Sequence, residues 1–174
     1  MKYLQENVSI ANIVTSYTLN SKLDRNLIKE NFKFIKYPKS FSGGILKYCE
    51  GCLLIFDSGK INVTGVQNIV TSMLLVDRFC SKYPSNISYS TFKIVNITVC
   101  AKIIGDFDYE ALLRHPGSSY EPELFPGIHL KLDESKVIFI IFRSGKVIIT
   151  GLKELSSIWH YCDEFDYNIR LKSI

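Results

Sequence analysis

Cysteine and histidine, the residue types that most often bind metals or act as nucleophiles, are few in this chain and widely spaced. Cys49 and Cys52 have the spacing of a zinc knuckle. A four-coordinate zinc site needs a second ligand pair, and the remaining three cysteines and three histidines form none at short spacing. We therefore interpret Glu50 and Gly51 as a tight turn between two strands, and we expect no metal site and no cofactor.

Enzymatic chemistry and membrane association are also not indicated. The three histidines have no nucleophile at motif spacing, and no glycine-rich loop could hold a phosphate, so we expect a protein that is not an enzyme. Five cysteines, an odd number, without a signal peptide predict reduced thiols in an intracellular protein. No apolar run reaches the ~18 residues of a membrane span.

Phenylalanine, asparagine and lysine recur in pairs instead. Residues 56–65 (FDSGKINVTG) return as residues 142–151 (FRSGKVIITG), an offset of 86 (142 − 56 = 86). Two further pairs have an offset of 84 (96 − 12 = 125 − 41 = 84), namely Asn12 with Asn96 and Phe41 with Phe125. The chain is therefore predicted to be a tandem duplication whose halves are related by a pseudo-twofold axis, which suits a target that is roughly twofold.

The two copies differ in charge. Residues 1–87 carry 11 Lys and Arg against 6 Asp and Glu, whereas residues 88–174 carry 10 against 11. The first copy should favour a polyanion and the second a basic protein, although a mildly basic surface is the simpler interpretation. We divide the chain into a tail, residues 1–10, a first repeat, 11–87, and a second repeat, 88–174, in one integrated domain.

Each copy has the same order of periodicities. A strand (residues 12–19 and 92–101) precedes a short helix (23–34 and 108–115), three strands and a long helix (67–83 and 152–170). The three strands are predicted at 44–49, 52–56 and 60–64, and at 128–132, 136–142 and 146–150. This order predicts an α+β fold, in which antiparallel strands from both copies form one sheet with helices on one side.

The sheet face without helices carries the functional prediction. Leu54 and Phe56 share a face, opposite Leu53 and Ile55, so the strand is apolar on both sides. Such strands are more often buried in the centre of a protein, but the duplication and the lack of helices for a second layer favour an exposed binding surface. That surface would be apolar with interspersed amide and hydroxyl groups.

These residues resemble the TATA-box-binding protein family, in a divergent eukaryotic-type or viral form. Residues 118–127 (SSYEPELFPG) look like the loop motif of the family's second repeat, and residues 141–146 (IFRSGK) resemble its neighbouring hairpin. In the first copy, residues 12–14, 38–41 and 54–60 fill the equivalent places. The resemblance implies a saddle: one curved antiparallel sheet, ten-stranded, with four helices on the convex face.

The resemblance also implies a general initiation factor that binds and bends A·T-rich, TATA-like promoter DNA in the minor groove, as a monomer. The phenylalanines that insert between base steps would be Phe41, Phe56, Phe125 and Phe142. The base-contacting residues would be Asn12, Val14, Leu54, Asn62, Thr64, Asn96, Thr98, Ile140, Ile148 and Thr150. The phosphate-contacting residues would be Lys47, Ser58, Lys60, Lys131, Ser144, Lys146 and Lys153.

Protein partners follow from the same resemblance. Glu121, Glu123 and Leu124 would dock a transcription-factor-B-like protein, with polymerase-associated factors joining in the nucleus or in the transcription compartment of a virus-infected cell. Asn62 and Thr98 replace apolar residues of the family, and Asp57 adds a carboxylate that should weaken DNA binding slightly. These departures favour the alternative, a paralogue with weakened or altered DNA specificity that acts as a scaffold or decoy. The four phenylalanines favour DNA binding, because exposed aromatic side chains without a ligand promote aggregation.

Overall fold

The computed structural model describes residues 4, 8–105, 107–132 and 134–170, which contain nine strands and four helices. The strands are β1 (Ser9–Leu19), β2 (Gly44–Lys47), β3 (Cys52–Ile55), β4 (Lys60–Val66), β5 (Tyr89–Lys102), β6 (Ser118–Ser119), β7 (Ile128–Leu130), β8 (Ile138–Ile141) and β9 (Lys146–Leu152). The helices are α1 (Arg25–Asn31), α2 (Ile69–Lys82), α3 (Tyr109–Leu113) and α4 (Ser157–Arg170). Ten strands were expected, but in the first copy only an isolated bridge between Lys36 and Ile45 stands in the place of β6.

The chain forms two compact units, and β5 is divided between them. One unit holds residues 12–95, and the other holds the residues up to 11 and from 96 onward. The first part of β5 packs with β1, because the rings of Tyr89 and Phe92 lie 5.0 and 5.1 Å from that of Tyr17 and Ser90 Oγ donates to the Thr18 carbonyl. The predicted boundary between the two repeats, between residues 87 and 88, lies just before β5. It remains a prediction.

In the unit of residues 12–95, antiparallel strands lie in the order β2-β3-β4-β1. Residues alternate between buried and half-exposed along β4, as expected when only one sheet face is covered. Helix α2 covers the buried face, since Ser72 contacts Thr15 and Tyr17 through hydroxyl oxygens 2.6 and 2.9 Å away. Buried Phe79 of α2 also stacks on Phe32 at 4.7 Å.

The other unit repeats this construction with the strand order β5-β9-β8-β7-β6. Phe165 of α4 stacks on Phe139 of β8 with ring centroids 5.1 Å apart, and both side chains are fully buried. Burial of each such ring contributes on the order of 2–3 kcal/mol, so this contact anchors the helix on the sheet. None of the described helices is both long and apolar enough to cross a membrane.

Three tight turns connect these strands, among them the one predicted at Glu50 and Gly51. Gly59 and Gly145 have φ of 85° and 80°, a conformation that favours glycine, and their amides donate to the carbonyls of Phe56 and Phe142 at 2.9 Å. Between β2 and β3, the Tyr48 amide donates to the Gly51 carbonyl at 2.8 Å. The two cysteines with zinc-knuckle spacing therefore flank a hairpin turn.

Candidate nucleic-acid interface

Each unit presents a sheet face that its helices do not cover, which we call the open face. In the unit of residues 12–95, half-exposed Val14, Leu54, Asn62 and Thr64 lie on it. The register places Asn62 beside Leu54, and the neighbours of these residues along each strand are buried on the other side. The alternation predicted from the sequence therefore brings these residues to one surface.

The open face of the other unit carries the matching residues of the second copy. Half-exposed Thr98, Ile140, Ile148 and Thr150 share it. Ile140 pairs with Ile148 in the register, and Thr98 and Thr150 are joined by hydroxyl oxygens 3.1 Å apart. Thr98, which replaces an apolar residue of the family, is thus hydrogen-bonded within the protein.

An asparagine on each open face is held by a glycine at a β-bulge. The Asn12 carboxamide oxygen accepts from the Gly65 amide at 2.7 Å, while its nitrogen donates to Thr64 Oγ1 at 3.3 Å. Gly65 has a φ of 78° and lies where the register of β1 and β4 shifts. Because the Gly65 amide holds the oxygen and Thr64 takes one amide hydrogen, the second hydrogen of the NH₂ group is left to meet a ligand.

The second copy repeats this cluster with one more hydrogen bond from the amide nitrogen. The Asn96 oxygen accepts from the Gly151 amide at 2.8 Å, and its nitrogen donates to Thr98 at 3.1 Å and to Thr150 at 3.2 Å. Both amide hydrogens of Asn96 are therefore engaged, so a minor-groove acceptor of an A·T pair would have to take the place of one of the two threonines.

The four predicted wedge phenylalanines form one pair in each unit. The rings of Phe41 and Phe56 are 5.5 Å apart, and those of Phe125 and Phe142 are 5.8 Å apart. Phe125 is 37% exposed, and the other three are half-buried. All four rings are thus accessible, so they can reach a ligand on the open face.

A glycine packs against each phenylalanine pair, which we did not predict from the sequence. A Cβ on Gly43 would lie 2.9 Å from the Phe41 ring and 3.1 Å from the Phe56 ring. A Cβ on Gly127 would lie 2.8 Å from Phe125 and 3.3 Å from Phe142. The sequence does indicate this packing, because each glycine follows the first phenylalanine of its pair by two residues in both copies.

An ion pair beside each hairpin turn was also missed. Arg25 Nη2 contacts Asp57 Oδ2 at 2.7 Å and also donates to the Ser42 carbonyl at 3.2 Å. The hydrogen bond with Asp57 raises the pKa of the Arg25 guanidinium. Asp57 is therefore partly neutralised, which reduces the repulsion of phosphates expected from the sequence.

In the second copy the signs are reversed. Arg143, on the turn, contacts Glu110 of α3 at 3.3 Å and lies 4.4 Å from the centroid of the Tyr109 ring. Burial, together with Tyr120, raises the pKa of Tyr109 to about 12, so this ring stays neutral at physiological pH. The second turn thus presents a cation where the first presents a carboxylate.

Six of the seven predicted phosphate-contacting residues occupy equivalent places in the two copies. Lys60 and Lys146 begin β4 and β9, immediately after the turns that carry Ser58 and Ser144. Lys47 ends β2, and Lys131 follows β7. All six side chains are exposed.

Lys153 differs from the other six because it lines a pocket. Although exposed, it borders a cavity of about 310 Å³ at the start of α4, together with Lys136, Ser157 and Tyr161. The first copy has the uncharged Gln67 in its place. Among the seven predicted phosphate contacts, Lys153 is therefore the one without a matching residue in the other copy.

The predicted docking residues lie on an exposed turn before Phe125. Glu121, Glu123 and Leu124 are all exposed, and Leu124 is 80% exposed. The amides of Leu124 and Phe125 both donate to the Glu121 carbonyl at 2.9 Å, which shapes the turn. An exposed apolar side chain that follows two glutamates on one turn is a suitable surface for a basic protein partner.

Within the described residues, no group of three metal-ligating side chains comes together. Burial raises the pKa of the Cys80 and Cys162 thiols to about 11, so both stay protonated at neutral pH and are poor nucleophiles.

Comparison with known proteins gives a consistent result. The family model described as transcription factor TFIID, or TATA-binding protein, matches residues 7–82 and 91–170. The TATA-box-binding protein of Aeropyrum pernix is 35% identical over 160 residues, which cover 87% of this chain and 79% of that protein. The TATA box-binding protein-like 2 of Rattus norvegicus is 36% identical over 158 residues, 86% of this chain and 46% of that protein. The chain thus spans about half the length of this mammalian relative.

A solved structure, of Methanococcus jannaschii TBP, matches the fold. It has a TM-score of 0.83 and 29% sequence identity, with coverage of 95% of this chain and 99% of that one. Together with the two segments matched by the family model, this confirms the predicted fold class, an α+β antiparallel sheet built by tandem duplication.

Proposed function

Because this chain belongs to the TATA-box-binding protein family, we propose that it binds A·T-rich promoter DNA through the minor groove and acts in transcription initiation, not as an enzyme. The observation that carries this proposal is the pair of asparagine clusters, each with its oxygen held by a glycine amide. Asn12 has one amide hydrogen left to donate to adenine N3 or thymine O2, and Asn96 would donate there in exchange for one of its hydrogen bonds to threonine. The guanine amino group would oppose both donors.

The phenylalanine pairs supply the means of bending. Phe41 with Phe56 and Phe125 with Phe142 are the wedges that would enter a base step at each end of the site. Their apolar neighbours on the open faces, including Leu54 and Ile140, would replace water along the groove. The exposed lysines at the turns would contact phosphates and set the salt dependence of binding.

Recruitment is the second part of the proposal. Glu121, Glu123 and Leu124 would bind a transcription-factor-B-like protein, which brings polymerase-associated factors to the promoter. The chain would act in the nucleus, bound to DNA as a monomer. This recruitment depends on the exposed turn before Phe125 and not on the open face, so the two activities are separable by mutation.

The alternative function is a scaffold or decoy with weakened or altered DNA specificity. Asn62 favours it, because this half-exposed amide lies in a row of the open face beside apolar Leu54. The other two departures favour it less, since Thr98 is hydrogen-bonded within the protein and Asp57 pairs with Arg25.

A salt-titrated binding assay distinguishes the two functions. Duplexes with a TATA sequence and with the same bases scrambled are titrated with the protein, and fluorescence transfer between the duplex ends reports bending. We expect tighter binding and bending of the TATA duplex, with affinity that falls as salt rises. Absence of bending on any A·T-rich duplex at low salt would replace the promoter-binding function with the scaffold function.

A further inference from the structure

Among the differences between the two open faces, one lies on strands β2 and β7, where the first copy has Ile45 and the second has His129. Ile45 pairs with Leu54 in the register of β2 and β3, and His129 pairs with Ile140 in that of β7 and β8. Both side chains are half-buried. They therefore hold equivalent places, but only the imidazole can form hydrogen bonds: when neutral it has one donor and one acceptor nitrogen.

The imidazole of His129 is positioned next to a predicted wedge. Its ring centroid lies 5.1 Å from that of Phe125, with the planes tilted by 33°. Phe125 in turn contacts Phe142, so the second copy has three neighbouring rings where the first has two. A base pair next to the Phe125 step would meet this imidazole.

The minor groove offers one base-specific donor, the N2 amino group of guanine. Against an aliphatic side chain that amino group would lose its water without gaining an acceptor, which is unfavourable. A neutral imidazole nitrogen can accept the hydrogen bond. We propose that His129 is a specificity-determining residue that accepts from guanine N2, so that the second copy tolerates a G·C pair beside the Phe125 step and the first copy, with Ile45, does not.

This inference rests on the proposed minor-groove binding and adds a preferred orientation of the protein on the DNA. Two repeats with largely matching open faces distinguish the two orientations of an A·T-rich site only weakly. A single G·C pair accepted by only one copy would favour the orientation that places it against His129.

The test combines protein variants with altered base pairs. Each A·T pair of the site is replaced in turn by G·C and by inosine·C, which lacks the N2 amino group. The proteins are the unmodified chain, His129→Ile, which copies the first repeat, His129→Gln, which restores an acceptor, and Ile45→His, which copies the second repeat. Thermal unfolding checks that each variant is folded.

We expect the unmodified chain to tolerate G·C beside the Phe125 step and His129→Ile to lose about tenfold in affinity there, a typical cost of one mismatched pair. Inosine should restore the binding of His129→Ile, and His129→Gln should keep most of the tolerance. Ile45→His should create the equivalent tolerance of G·C beside the Phe41 step.

Equal G·C tolerance of His129→Ile and the unmodified chain, or no rescue by inosine, would show that His129 does not read the amino group. If the unmodified chain bound no all-A·T duplex, the proposed function itself would fail, and the inference with it.

Discussion

The two copies keep the same open face but reverse the charges beside their hairpin turns. Both hold an asparagine through a glycine amide and place a phenylalanine pair next to a glycine. At the turns, however, Arg25 of α1 pairs with Asp57 in the first copy, and Glu110 of α3 pairs with Arg143 in the second. The duplication has therefore preserved the asparagines and the phenylalanine pairs with their glycines, while the charges beside the turns have diverged.

Because of this reversal, the two turns present different charges to a DNA phosphate. The second turn carries Arg143 before Ser144 and Lys146, whereas the first carries Asp57 before Ser58 and Lys60. The acidic second repeat thus has the more cationic turn. Net charge per repeat, from which the sequence predicted a polyanion at the first copy, does not describe this local difference.

Removal of a wedge should have the largest effect on either copy. We expect Phe125→Ala and Phe41→Ala each to abolish most of the bending and to cost on the order of 2–4 kcal/mol of binding free energy, as for other central aromatic contacts. Fluorescence transfer across the duplex measures the bend. Phe34→Ala is the matched control, because Phe34 is 83% exposed and belongs to neither pair. Similar bending by Phe125→Ala and the control would exclude insertion.

Partner docking should depend on the second copy alone. Charge reversal at Glu121 and Glu123 should abolish the ternary complex with a factor-B-like protein, because like charges across an interface are strongly unfavourable. Binding of DNA alone should change little, and native gel shifts with and without the partner measure both. Glu154→Lys reverses an exposed charge elsewhere in the same unit and serves as control. Equal loss of binary and ternary complexes would mean that the turn is structural.

The open face could be predicted from the sequence because it depends on two regular patterns. Strand alternation and the internal offset together placed Asn62, Thr64, Ile148 and Thr150 correctly on it. The pair of Arg25 and Asp57 could not be predicted in this way, since its members are 32 residues apart and meet only after α1 packs beside the turn. Strand β6 has two residues, too few for any periodicity to appear.

The salt dependence of DNA binding should differ between variants of the two turns. Lys60→Ala and Lys146→Ala should each weaken binding to all sequences alike and lower the salt slope by about one, as expected for one lost phosphate contact. Arg143→Ala should act in the same direction, whereas Asp57→Ala should strengthen binding at low salt. Affinities measured at several salt concentrations give the slopes. A sequence-dependent loss for Lys146→Ala would assign that lysine to the bases.

The smallest effect should come from exchange of the polar and apolar residues at positions 62 and 148. Asn62 pairs with Leu54 on one open face, and Ile148 pairs with Ile140 at the equivalent place on the other. Asn62→Val makes the first face apolar there, so a guanine amino group opposite it would have no acceptor, at a cost of roughly 1–3 kcal/mol. Binding to A·T-rich duplexes should change by less than this, and the preference over G·C-containing duplexes should rise.

Ile148→Asn is the reciprocal variant and should relax specificity in the second half-site. Competition between A·T-rich and singly G·C-substituted duplexes measures both changes. If Asn62→Val left the preference unchanged while Ile148→Asn reduced it, the two faces would not read their half-sites equivalently, and the amide of Asn62 would have to lie outside the contact with the bases.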